Sequence, residues 1–193
     1  MAAANPKGTV HVWDVSAQKE THVLSGAMPA LLTFSADAKA LVIGIVNGSV
    51  KLWQLDGPGE AATFPGHSGW VGALALLPDG QTLISAESDI HFWDVRTRQE
   101  TDKLSPRADL FLCVALSPDG RRFAAGAGDG LIRLWDLASH REVATLEGHK
   151  DAVEQLSFTP DGDHLVSVSK DELRVWRAPS WAEIEAKEKQ ARK

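Results

Sequence analysis

The chain has one cysteine, no tyrosine, more acid than base, and no long apolar run in its 193 residues. Its longest apolar stretches, "ALVIGIV" (40–46) and "VGALALL" (71–77), fall far short of the roughly 20 residues a helix needs to cross a bilayer, so no membrane-spanning helix is expected. Twenty basic against 26 acidic side chains give a net charge of −6. Such a balance argues against nucleic acid as a partner, because phosphate-backbone binders gain affinity through Lys and Arg. Cys113, inside "LFLCVAL", can form no internal disulfide and reads as a buried structural thiol. The opening "MAAANPKGTV" lacks the basic and apolar segments of a secretory signal, and a cytoplasmic location is the expectation.

What the chain does contain is a repeated phrase. "HVWDV" (11–15), "KLWQL" (51–55), "HFWDV" (91–95), "RLWDL" (133–137) and "RVWRA" (174–178) each carry a polar or basic residue, an apolar residue and a tryptophan. The tryptophans, Trp13, Trp53, Trp93, Trp135 and Trp176, are separated by 40, 40, 42 and 41 positions. A second landmark keeps step with them: "SADAK" (35–39), "LPDGQ" (77–81), "SPDGR" (117–121) and "TPDGD" (159–163) have the composition of tight turns. Two landmarks in register define one repeating unit of about 40 residues.

Within a unit the pattern is that of short strands. "VGALALL" (71–77) reads as a first strand buried on both faces, "TLISAE" (82–87) as a second, "IHFWDV" (90–95) as a third, and the more polar "ETDKL" (100–104) as an exposed fourth. The sequence resembles the WD-repeat β-propellers, whose unit has a Gly-His pair near its start, a "SPDG" turn after its first strand and a Trp-Asp pair closing its third. The resemblance implies an all-β propeller of four-stranded antiparallel blades, about four of them complete (27–186), with a partial N-terminal blade lacking its inner strand (1–26) and a charged tail (187–193). The last unit, "LRVWRAPSWAEIEAKE" (173–188), is similar to the C-terminal part of bacterial members. The expectation is therefore a segment of a larger bacterial signalling or regulatory protein, although no kinase signature occurs in the chain.

The resemblance also implies a structural hydrogen-bond chain in complete units: His67, Ser85, Asp89 and Trp93 in one, His149, Ser167, Asp171 and Trp176 in another. Elsewhere Arg107 stands near the histidine position, Ala125 near the serine position, and "SGAMP" (25–29) replaces Gly-His. The same His, Ser and Asp types could compose a hydrolytic triad, and a propeller hydrolase or ligand-binding enzyme with a site in the axial channel is the alternative reading. Recurrence at one repeat period beside a tryptophan favours the structural role, and no catalytic activity is expected.

The remaining motifs point to turns. "GAGDG" (126–130) lacks the Lys-Ser/Thr and helix of a phosphate loop, and "NGS" (47–49) reads as a type I′-compatible hairpin. The seven histidines show no ligand spacing, so neither metal nor cofactor is expected. A protein or peptide partner is expected on the face that the family's loops build. There the resemblance places Met28, Pro29, Trp70, Arg107, Asp109 and Asp151 from one loop set, with Asn47, Glu87, Asp129 and Lys170 from the other. Trp70 stands out because exposed tryptophan is enriched at interface hot spots. Self-association through uncovered blade faces is a further expectation.

Overall fold

The computed structural model describes residues 1–177 apart from Pro6, 26–28, 58–60, 65–66, Ser68 and Arg107, with only the backbone of Ala30 and Ala61. The expected tail (187–193) and two partner-face residues, Met28 and Arg107, lie outside the described residues. Regular structure among the described residues is entirely strand. None contains a helix long and apolar enough to cross a membrane.

Consecutive strands pair antiparallel, and each sheet uses a contiguous stretch of chain. The first sheet contains β1 (Ala2–Ala4), β2 (Thr9–Asp14) and β3 (Lys19–Ser25). The second contains β4 (Pro29–Phe34), β5 (Ala40–Ile45), β6 (Val50–Gln54) and β7 (Ala61–Phe64). The third is β8 (Ala73–Leu76), β9 (Thr82–Ala86), β10 (Ile90–Asp94) and β11 (Gln99–Leu104). In the fourth are β12 (Phe111–Leu116), β13 (Arg122–Ala127), β14 (Ile132–Asp136) and β15 (Glu142–Leu146), and in the fifth β16 (Val153–Phe158), β17 (His164–Ser169) and β18 (Leu173–Arg177). The chain divides into two compact units, residues 1–112 and 113–193.

Burial within a sheet follows composition. All four residues of β8 are buried, whereas β11, "QETDKL", is exposed until its last residue. An apolar strand is thus covered on both faces, and a polar one closes the sheet at an edge where unpaired backbone groups meet water.

The turns after the first strands share one device. In "SPDGR" the Ser117 hydroxyl donates to Asp119 Oδ1 at 2.5 Å, the same oxygen accepts the Arg121 N–H at 3.0 Å, and Gly120 has φ +66°. Ser35, Asp37 and Lys39 repeat these contacts, with Ala38 at φ 57° where the other turns have glycine. The Ser35 hydroxyl, helped by the Lys39 amide, holds the Asp37 carboxyl below its ordinary range. The "NGS" hairpin differs from expectation: Gly48 has φ +86° but Asn47 is not left-handed, so the turn is not type I′. The Gly48 N–H closes on Ile45 O at 2.9 Å and Asn47 Oδ1 accepts from the Ser49 N–H, which makes the glycine the single left-handed residue of the loop.

Sheets meet through their apolar faces. In the first unit Val10, Val12 and Leu24 pack with Leu41, Ile43 and Ile45, and Val50 and Leu52 pack with Leu74, Leu76, Leu83 and Trp93. In the second, Ala124, Ile132 and Leu134 pack with Val153 and Leu165. The approach is close at Gly126, where a Cβ would lie 2.6 Å from Val153 Cγ1 and 2.8 Å from Cys113 Sγ. Cys113 donates its S–H to Val153 O at 3.3 Å, and burial pushes its thiol up to about 12.

Candidate functional site

The phrase "HFWDV" owes its form to the period-2 alternation of a strand. Ile90 and Phe92 share one buried face and are 0% and 1% exposed. His91 and Trp93 share the other face, their rings stacked at 5.7 Å and 12°. His11 stacks on Trp13 in the same way at 5.7 Å, and the Arg174 guanidinium lies 5.8 Å from the Trp176 ring centre. The polar or basic residue two before each of these tryptophans is therefore its stacking partner. A β-bulge falls immediately before Trp13, Trp93 and Trp135 in pairing with the strand that follows, a device that re-aims a side chain.

The aspartate of the phrase has a separate task. Asp94 Oδ1 accepts from the Thr97 N–H at 2.6 Å and the Thr97 hydroxyl at 2.8 Å, which holds its carboxyl below the ordinary range. Asp136 Oδ1 likewise accepts from the Ser139 N–H and hydroxyl, and Asp14 Oδ1 from the Ser16 and Ala17 N–H groups. Each aspartate thus ties down the turn that leads to the outer strand.

The register of β9 on β10 sets Ser85 opposite His91. Ser85 Oγ accepts the Trp93 indole N–H at 2.8 Å and lies 2.6 Å from His67 Nε2. Donation in one direction satisfies the row: indole to serine oxygen, then serine hydroxyl to Nε2, which assigns the proton of a neutral His67 to Nδ1. Nδ1 faces Glu87 Oε1 at 3.7 Å, and Glu87 Oε2 accepts from the Gly69 N–H at 3.1 Å. Burial, reinforced by the adjacent His91, pushes His67 down to about 4. The fifth sheet repeats the arrangement. Trp176 Nε1 donates to Ser167 Oγ at 2.8 Å, His149 Nε2 lies 2.6 Å from that oxygen, and His149 Nδ1 is 3.4 Å from Glu172 Oε2.

In both sheets the acid facing the histidine is a glutamate, which corrects the expected Asp89 and Asp171. Glu87 follows β9, beside the segment that brings His67 into β8. Asp89 stands on the β10 side of the turn, toward β11, and binds Lys103 Nζ at 2.6 Å; that ammonium holds its carboxyl down. In the fifth sheet Glu172, Arg174 and Trp176 alternate on one face, Arg174 bonding Glu172 at 2.7 Å, whereas Asp171 is one residue out of phase and exposed.

Other repeat positions use packing. Ile43, opposite Lys51, occupies the place of Ser85 in the second sheet, where Trp53 packs against the cluster of Leu41 and Ile43. Ala125 occupies it in the fourth, where Trp135 stacks on Phe123 at 4.9 Å. Of the expected partner-facing residues, Trp70 (41% exposed) and Asp109 are exposed in the first unit; Asp129, Asp151 and Lys170 are exposed in the second. Asp129 is engaged by Arg133 at 2.7 Å. Asn47 is exposed and Pro29 half-buried, and Glu87 belongs to the His67 cluster.

One feature escaped the sequence reading, and another was expected in kind but without its residues. His91 is buried against His67, with ring centres 4.3 Å apart; its signal was its position two residues before a tryptophan in a unit that also has Gly-His. The other feature is a face of the fifth sheet. Register pairs Val166 with Val175 and Val168 with Leu173, and Leu173 and Val175 are 64% and 60% exposed. Alternation along β18 carried that signal.

Antiparallel sheets in series, each marked by a tryptophan and two of them fastened by a His-Ser-Trp row, define a repeat protein built of propeller-blade units. Residues 59–94, 105–136 and 140–177 match the family described as "WD domain, G-beta repeat", more than half of the chain, and the chain belongs to that family. A guanine nucleotide-binding protein subunit beta from Oryza sativa subsp. japonica is 25% identical over 190 residues, covering 89% of this chain and 50% of the relative. The rat apoptotic protease-activating factor 1 is 27% identical over 183 residues, covering 74% of this chain and 15% of the relative. The protein groucho of Drosophila melanogaster is 29% identical over 161 residues, covering 78% and 22% respectively. The chain thus spans half or less of the length of these relatives.

Proposed function

We propose that this chain is a noncatalytic WD-repeat scaffold for protein–protein interaction, working in the cytoplasm as a segment of a larger bacterial signalling or regulatory protein. About four complete blades and a partial N-terminal one make up its interaction module. The partner is protein or peptide, and neither nucleic acid nor membrane is bound.

One observation carries this reading. Leu173 and Val175 of β18 are 64% and 60% exposed, yet Ile132 and Leu134, at the corresponding places of β14, are 0% and 1% exposed under Val153 and Leu165. Val10 and Val12 of β2, like Val50 and Leu52 of β6, are likewise buried. The β18 face has the composition of a covered blade face without a cover among the described residues. Burying such a face drives association, at roughly 25 cal/mol per Å² of apolar surface. The serines support the absence of catalysis: Ser85 and Ser167 are both 0% exposed and committed to indoles, so neither can reach a substrate. A cleft lined by Val10, Leu24, Ile43 and Trp53 has a volume of about 20 Å³, room for about one water.

Light scattering of the full chain across a concentration series tests the reading, beside an L173K/V175E variant. Association that rises with concentration and is lost in the variant is expected. A monodisperse monomer throughout, or association unchanged in the variant, would overturn the assignment of this face.

A further inference from the structure

His67, Glu87 and His91 come from three places in the sequence: the segment before β8, the turn after β9, and β10. One donor atom from each lies within 4.8 Å of those of the other two. The side chains of His67 and His91 are 0% and 4% exposed, that of Glu87 12%. His67 Nδ1 and both ring nitrogens of His91 are buried without a hydrogen-bond partner. Three orphaned nitrogens in one cluster are costly for a folded protein, at about 1–3 kcal/mol each. Glu100 Oε1, 3.5 Å from His91 Nδ1, adds a second acid at the edge.

We propose that His67, Glu87 and His91 bind one divalent transition-metal ion, zinc by the character of its ligands. Two imidazoles and a carboxylate are a zinc donor set, with water completing a tetrahedron. Even if all three donor separations were at their upper bound, a point equidistant from them would lie about 2.8 Å away, against roughly 2.0–2.1 Å for a zinc–nitrogen bond. Closing that gap takes side-chain rotations of under about 1 Å, with no strand displaced. Supporting contacts hold two of the donors. Glu87 is anchored through its other oxygen to the Gly69 N–H, leaving Oε1 toward His67. His67 is anchored through Nε2 to Ser85, the kind of outer contact that orients a metal-bound imidazole. On binding, the proton of His67 moves from Nδ1 to Nε2, and Ser85 Oγ, with two lone pairs, accepts it beside the indole N–H. The imidazole stays neutral throughout.

The fifth sheet supplies an internal control, since His149 and Glu172 are present there but Arg174 stands where His91 would be. The test uses the full chain stripped with EDTA and desalted. Zinc is titrated calorimetrically, and cobalt(II) is followed by the visible absorbance of a tetrahedral site. Expected are one ion per chain, at least tenfold weaker binding in E87Q and in H91F, and unchanged binding in E172Q and H11N. Phenylalanine at 91 keeps a ring against Trp93, and glutamine at 87 keeps an acceptor for Gly69, so near-UV dichroism reports whether each variant is folded. The proposal is overturned by the absence of saturable binding, by binding that survives both E87Q and H91F, or by binding lost in H11N, which would place the ion on the surface pair His11–Glu20.

Discussion

Replacing Ser85 by alanine removes a single oxygen and leaves two partners stranded. Ser85 is 0% exposed, Trp93 2% and His67 9%, so water does not easily replace what is lost. The alanine methyl keeps the packing, and the cost comes from the unpaired indole N–H and the unpaired Nε2. At about 1–3 kcal/mol for each buried orphan, the substitution should destabilise by about 3 kcal/mol. Combining it with Trp93→Phe separates the two parts, because without an indole the serine deletion strands only the histidine and should cost about half as much. Ser167→Ala is the comparison within the same chain. Trp176 is only partly buried, water can reach its nitrogen, and the cost should fall to about 1–2 kcal/mol. The assay is urea denaturation of metal-free protein, with hydrogen exchange at the amides of β9, β10, β17 and β18 to resolve each sheet locally. The reasoning fails if Ser85→Ala costs under about 0.5 kcal/mol, the scale of an ordinary surface substitution. It also fails if Ser167→Ala costs more than Ser85→Ala.

Two further outcomes follow from local geometry. Ala38 holds the left-handed place that glycine fills in the other turns, φ 57° against 66° at Gly120, so Ala38→Gly should stabilise by about 0.5–1 kcal/mol, the relief of strain exceeding the added freedom of the unfolded chain; a lower urea midpoint in the variant would contradict it. Cys113, with its thiol raised from 9.0 to about 12 by burial, should react with a disulfide reagent at pH 8 far more slowly in the native protein than in urea. Because the unfolded thiol ionises first, its contribution to stability is complete below pH 9 and declines as pH climbs toward 12. A native labelling rate that levels off near pH 8.5 would show an ordinary exposed thiol instead.

The tryptophan spacing and the Pro-Asp-Gly turns made the sheets legible, because both are short-range signals repeated in register. β8 to β11 lie within a residue or two of the strands read from residues 71–104. The serine, histidine and tryptophan of the third and fifth sheets were legible for the same reason. The acids were not. Choosing between Glu87 and Asp89, or between Glu172 and Asp171, requires knowing which side of a three-residue turn faces the incoming segment, and composition is silent on that. His91 went unread because its neighbour His67 is 24 positions away in sequence and meets it only through the pairing of Ser85 with His91. An uncovered blade face was expected, but not its residues: Leu173 and Val175 look like Ile132 and Leu134, and only burial tells the covered pair from the uncovered one.

The polar fastening occurs in the third and fifth sheets and gives way to Ile43 and Ala125 in the second and fourth. The internal wiring of a sheet can therefore be rewritten while its outer faces keep the same grammar. Evolution by duplication needs such independence: a stretch of about 40 residues can be copied, deleted or degraded without renegotiating the pairing of any other stretch. Damage should obey the same boundaries, so a lesion at Ser85 loosens the third sheet and reaches the second through the apolar cluster the two share.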